Sequence, residues 1–63
     1  MTDFEAVMLI EDGDADETTT LQAWAQLIKS GACWHLQGWY GRAAYTLIDG
    51  GYITSDGDIT DAS

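Results

Sequence analysis

The stretch Leu21–Gly50, LQAWAQLIKSGACWHLQGWYGRAAYTLIDG, decides the fold. Leu21, Trp24, Ala25 and Ile28 recur at intervals of three and four, while Gln22, Gln26 and Lys29 fall on the opposite side. That is the pattern of an amphipathic helix with one face toward a core. Lys29 stands where a cation meets the carbonyl end of the helix dipole, and Gly31 follows as a residue suited to a left-handed cap. The spacing predicts a helix over about 18–30. Ala32–Gln37 leaves room for a turn or two of helix, with Trp34 and Leu36 as its buried members, before Gly38 stops it. A last helix opens between Trp39 and Gly41 and runs to Asp49, because Tyr40, Ala43, Ala44, Leu47 and Ile48 make one apolar stripe that Gly50 ends. Arg42 and Tyr45 project from the flank of that stripe, toward solvent or a partner.

Toward the N-terminus, Thr2 and Glu5 stand at capping-box spacing and predict a helix over about 3–12. Phe4, Val7 and Met8 form one apolar stripe on it and Ala6, Leu9 and Ile10 a second. Such a helix is either sandwiched in the core or presents its outer stripe to another chain. The alternative for Ala6–Ile10 is a buried strand, since a short apolar run fits both periods. Between Glu11 and Glu17 five of seven residues are acidic, and Asp16 or Glu17 falls at the N-terminus of the second helix, where free N–H groups favour a carboxylate. From Thr54 onward the residues are polar, acidic or small except Ile59, the composition of a mobile tail. A hairpin over Tyr52–Thr60 around Asp56-Gly57 is the alternative. Its two-residue loop would set Thr54 against Ile59 and Ile53 against Thr60, leaving the isoleucines on opposite faces. The expected class is all-α: a bundle of three to four short helices over 1–53, helix-turn-helix-like in layout, followed by a mobile acidic tail over 54–63.

The chain has 63 residues, enough for one small core, and a net charge of -9 from eleven acidic and two basic side chains. That charge repels phosphate backbones and anionic lipid, so neither direct nucleic-acid binding nor membrane attachment is expected. The longest apolar run, Ala6–Ile10, falls far short of the roughly 20 residues of a membrane span, and no positively charged leader precedes it. The lone Cys33 cannot form an internal disulfide and fits a reducing compartment. Asp12, Asp14 and Asp16 alternate as at the start of a calcium loop, but Glu17 and Ala23 replace the glycine and the bidentate acid that such a loop needs. Cys33 and His35 lack further ligands for zinc, and two residues apart on a helix they point to different sides, so they make no nucleophile and base pair. No cofactor, metal or catalytic group is expected, and the chain reads as a non-enzyme. Trp39, Tyr40 and Arg42 bring the three residue types most enriched in binding hot spots within four positions. With Tyr45 beside them and Glu11, Asp12, Asp14, Asp16 and Glu17 as steering charge, they are the expected partner-binding residues. In the plainer alternative Trp39 lids a corner between helices and Arg42 pairs with a carboxylate.

The segment Trp34–Tyr52, preceded by Gln26–Gly31, resembles a family of very short acidic proteins encoded by tailed bacteriophages. The family pattern is an acidic glycine-containing turn, an amphipathic helix ending in glycine, Trp-x-Leu-Gln-Gly, an aromatic, Gly-Arg and a Leu-Ile helix. Leu36-Gln37-Gly38 with Tyr40-Gly41-Arg42 is the most specific part of a match running from about Glu11 to Tyr52. The resemblance implies a phage origin and expression in the cytoplasm of a bacterial host, and no mechanism. The expected function is to bind and modulate, by inhibition, a host protein complex; a phage protein is the other kind of partner. In a sharper form the protein mimics nucleic acid for a nucleic-acid-handling complex, with the Glu11–Glu17 carboxylates and Asp49, Asp56, Asp58 and Asp61 lining one face. One alternative is a helix-turn-helix-like regulator, although its reading helix would carry Arg42 as its one cation where about six to ten phosphate contacts are usual. Another is a self-associating phage structural or accessory protein, a homodimer through the first helix.

Overall fold

Helix termini leave backbone donors and acceptors without partners, and this chain closes those of its first two helices with its own side chains and glycines. The computed structural model describes residues 1–60, in the order α1 (Asp3–Asp12), α2 (Glu17–Ser30), a 3₁₀ turn (Ala32–Trp34) and α3 (Gly38–Asp49). Before α1, Thr2 Oγ1 accepts from the Glu5 N–H at 3.1 Å while Glu5 Oε1 accepts from the Thr2 N–H at 2.9 Å. Asp16 caps α2 by accepting from the Thr19 N–H at 2.7 Å, and Gly31 ends it. These backbone bonds hold the Glu5 and Asp16 carboxyls below the usual carboxylate range. What they add to stability is therefore present above about pH 4 and lost as pH falls through the lowered values.

The core is built on α2, which buries Ala23, Trp24, Ala25, Leu27 and Ile28. α1 runs back along it, with Asp3 Oδ1 accepting from Gln26 Nε2 at 3.0 Å. It contributes Ala6, fully buried, with Val7, Leu9 and Ile10 packed partly against the core. α3 contributes Tyr40 and Ala44, flanked by Ala43, Leu47 and Ile48, and Cys33 and Ile53 complete the cluster. The expected helix boundaries and the apolar stripe of α3 are therefore present, and Ala6–Ile10 is helix rather than strand.

The structure decides which stripe of α1 is inward, and two details depart from expectation. On α1 the stripe of Ala6, Leu9 and Ile10 faces the core, whereas Phe4 and Met8 are 73% and 54% exposed. Trp34 and Leu36, expected inside, are both exposed. A single 3₁₀ turn of three residues can direct one side chain inward, and Cys33 takes that place. The second departure concerns the segment after α3. Thr54 N–H donates to Asp58 O at 2.8 Å and Gly57 N–H to Thr54 O at 3.0 Å, which closes a three-residue loop, and Ile53 forms an isolated antiparallel bridge with Ile59. One extra loop residue shifts the pairing by one and sets the two isoleucines opposite each other, so that Ile53 is buried. Of the segment expected as a tail, 54–60 is thus folded back as a small hairpin, and 61–63, including Asp61, lie outside the described residues.

Gly57 fixes this hairpin to α2. It is buried at φ +91°, and a Cβ there would stand 2.7 Å from both the backbone N and the Cβ of Lys29. Gly13, at φ +76°, has nothing within 4 Å of the same position. Gly13→Ala is expected to cost about 1–2 kcal/mol from backbone conformation alone, and Gly57→Ala about 1–3 kcal/mol more from overpacking. Urea unfolding of the two variants checks this; equal losses would mean that the hairpin does not press on α2 in solution.

Candidate functional site

The residues expected to meet a partner are divided by the helical geometry of α3. Trp39 and Tyr40 turn inward with Trp24: the Trp39 and Tyr40 rings lie 3.9 Å apart at 31°, Trp24 and Tyr40 5.7 Å apart at 52°, and Trp24 meets Trp39 edge-on at 6.3 Å. Tyr40 is buried, and its hydroxyl donates to Glu11 Oε1 at 2.8 Å. Burial first, and then the hydrogen bond to Glu11 and the charge of its carboxylate, push the Tyr40 hydroxyl up to about 12. Tyr40 is thus a core residue and not a contact for a partner, because its ring and its hydroxyl are both committed within the chain. Trp39 is 39% exposed and covers the corner between α2 and α3.

Arg42 and Tyr45 face the other way and join Trp34 in an open groove of about 560 Å³, whose floor is Gly38 and Gly41. The Trp34 ring rests against the bare backbone of α3, since a Cβ on Gly41 would come within 3.6 Å of its Cε3. The Arg42 guanidinium folds back over the first turn of α3, where a Cβ on Gly38 would stand 3.4 Å from Nη1. Helical side chains lean toward the N-terminus in this way. Trp34 is 49% and Tyr45 65% exposed. Among the described residues the one ion pair is Lys29 Nζ to Asp58 Oδ1 at 3.6 Å, so Arg42 has no carboxylate partner there. Sequence reading missed Trp34 as a surface residue. The available signal was Gly41, a glycine inside a helix with no capping duty, which marks a close approach.

Glu11, Asp12, Asp14, Asp16 and Glu17 are all exposed at the junction of α1 and α2, but two of them have structural partners, Asp16 in the α2 cap and Glu11 on Tyr40. Asp58 lies near the opposite end of α2, against Lys29 in its last turn. The exposed α2 positions between the two ends, Thr18 and Gln22, are neutral. No three His, Cys, Asp or Glu side chains converge among the described residues. Burial pushes the Cys33 thiol up, which keeps it protonated as a small core residue. No helix among the described residues is long and apolar enough to cross a membrane.

Residues 2–63 match the model of a family described as a domain of unknown function, DUF7417, and the chain belongs to that family. No curated protein and no solved structure matches it.

The Tyr40–Glu11 bond has a signature at high pH. The folded-state value of Tyr40 lies above the usual one of about 10, so its contribution is complete below about pH 10 and is lost as pH rises through about 12. The urea midpoint should fall over that window, and Tyr40→Phe should remove this part of the fall along with the tyrosinate absorbance step near pH 12. An unchanged profile in Tyr40→Phe would assign the alkaline loss to other groups.

Proposed function

With the chain placed in a family of unassigned function, we propose that it is a non-enzymatic accessory protein of a tailed phage, working in the cytoplasm of the bacterial host. It acts by binding another protein, and the binding face is the groove of Trp34, Arg42 and Tyr45. One observation carries this reading: two large aromatic side chains stand exposed in one groove with a cation that has no carboxylate partner among the described residues. Aromatic residues and arginine supply most of the energy at protein interfaces because they bury much area for few frozen rotors and, for Arg, form two parallel bonds to a carboxylate. The glycine floor lets a partner's side chain or backbone approach the helix closely.

The remaining surface suits steering. A net charge of -9 accelerates encounter with a basic partner and repels acidic ones, without itself giving a tight contact. Inhibition of a host complex follows if the groove covers a surface that complex needs. Nucleic-acid mimicry draws its support from the net charge. A DNA-reading role for α3 has Arg42 as its one cation on that helix.

Arg42→Ala and Tyr45→Ala are expected to leave helicity intact, since both side chains are exposed, and to weaken capture of a partner from host extract at least about tenfold each. Trp39→Ala should lower stability instead, through lost packing on Trp24 and Tyr40. Circular dichroism and quantitative pull-down separate the two effects. Capture that is unchanged in both groove variants would remove the groove from the reading.

A further inference from the structure

We infer that the occupant of this groove face is a second copy of the chain, held by antiparallel pairing of two α3 helices. The inference rests on the groove being a docking surface: self-pairing is the state of the free chain, which a host partner displaces when it takes the groove. The outward residues of α3 are Gly38, Arg42, Tyr45, Thr46 and Asp49, all exposed and spaced three, four and seven apart on one side of the helix. Arg42 and Asp49 lie two turns apart, about 10 Å along the axis. They flank the Tyr45–Thr46 pair at equal distance in sequence. A twofold axis through that pair brings Arg42 of each copy opposite Asp49 of the other, so that one operation pairs both cations with both carboxylates. Self-complementarity of this kind is what a symmetric interface requires. Tyr45 of each copy lies opposite Thr46 of the other at the centre, and Gly38 keeps the edge of the face bare.

The charge distribution favours this face over α1. The chain carries -9, so two copies attract only where the local charge cancels. Phe4 and Met8 offer an apolar strip on α1, but Glu5 and Glu11 border it, and a twofold contact there sets carboxylates against carboxylates. The outward face of α3 holds one charge of each sign and opposes them on pairing.

Sedimentation velocity of the full chain at about 0.15 M salt, where long-range repulsion is screened, tests the pairing. A concentration-dependent dimer is expected. Arg42→Glu and Asp49→Arg should each weaken it at least about tenfold, because symmetry makes every reversal count twice. The double variant R42E with D49R should recover to within about threefold of the parent. Both reversals place charge as the dipole of α3 prefers, an acid near its start and a base at its end, so folding is retained. A parent chain that stays monomeric at every concentration overturns the self-pairing; capture by the Arg42 and Tyr45 variants then judges the groove separately. A dimer indifferent to both single reversals but broken by Met8→Glu moves the contact to α1 and overturns it too. A dimer broken by the single reversals and not restored by the double keeps the groove as an interface and overturns the antiparallel register.

Discussion

α2 must satisfy a neighbour on each side, and Trp24 is where it does so. Its ring takes the edge of Trp39 and the tilted face of Tyr40 from α3, and Tyr40 passes the connection on to α1 through its bond to Glu11. Aromatic pairs of this kind contribute about 0.5–1.5 kcal/mol beyond the area they bury. A domain of this length has a net stability of roughly 3–9 kcal/mol, so such contacts are a large share of what holds three helices in one arrangement. The acidic surface works against them, since carboxylates in excess repel one another across the fold.

The same constraint creates the exposed groove. Helical periodicity sends Tyr40 and Ala44 inward, and it must then send Arg42 and Tyr45 outward. Cys33 occupies the one inward place in the 3₁₀ turn, which sends Trp34 out beside them. The core and the binding face are thus two sides of one choice of helix rotation. A change that rotates α3, such as loss of the Tyr40 ring, would disturb both.

The helices were legible because their determinants are local. Thr2 with Glu5, Asp16 and Gly31 each act within a turn of the helix they bound, and the stripe on α3 needs no knowledge of its neighbours. The candidate site was legible in part: Arg42 and Tyr45 follow from the stripe, whereas Trp34 depends on how few residues the 3₁₀ turn holds. The register of the hairpin was not legible, because Asp56-Gly57 suits a two-residue loop and a three-residue loop alike. Docking decides between them. Only the longer loop sets Ile53 opposite Ile59 and seats Gly57 on the backbone of Lys29.

The seating of Gly57 on Lys29 bears on the timing of folding as the chain is synthesised. α1 and α2 can collapse on each other early, for they are adjacent in sequence and joined by a short turn. Ile53 enters the core and the hairpin locks against α2 after residue 57 has left the ribosome. Until then the nascent helices carry an unfilled place in their packing, and the core is complete only once the segment after α3 has docked.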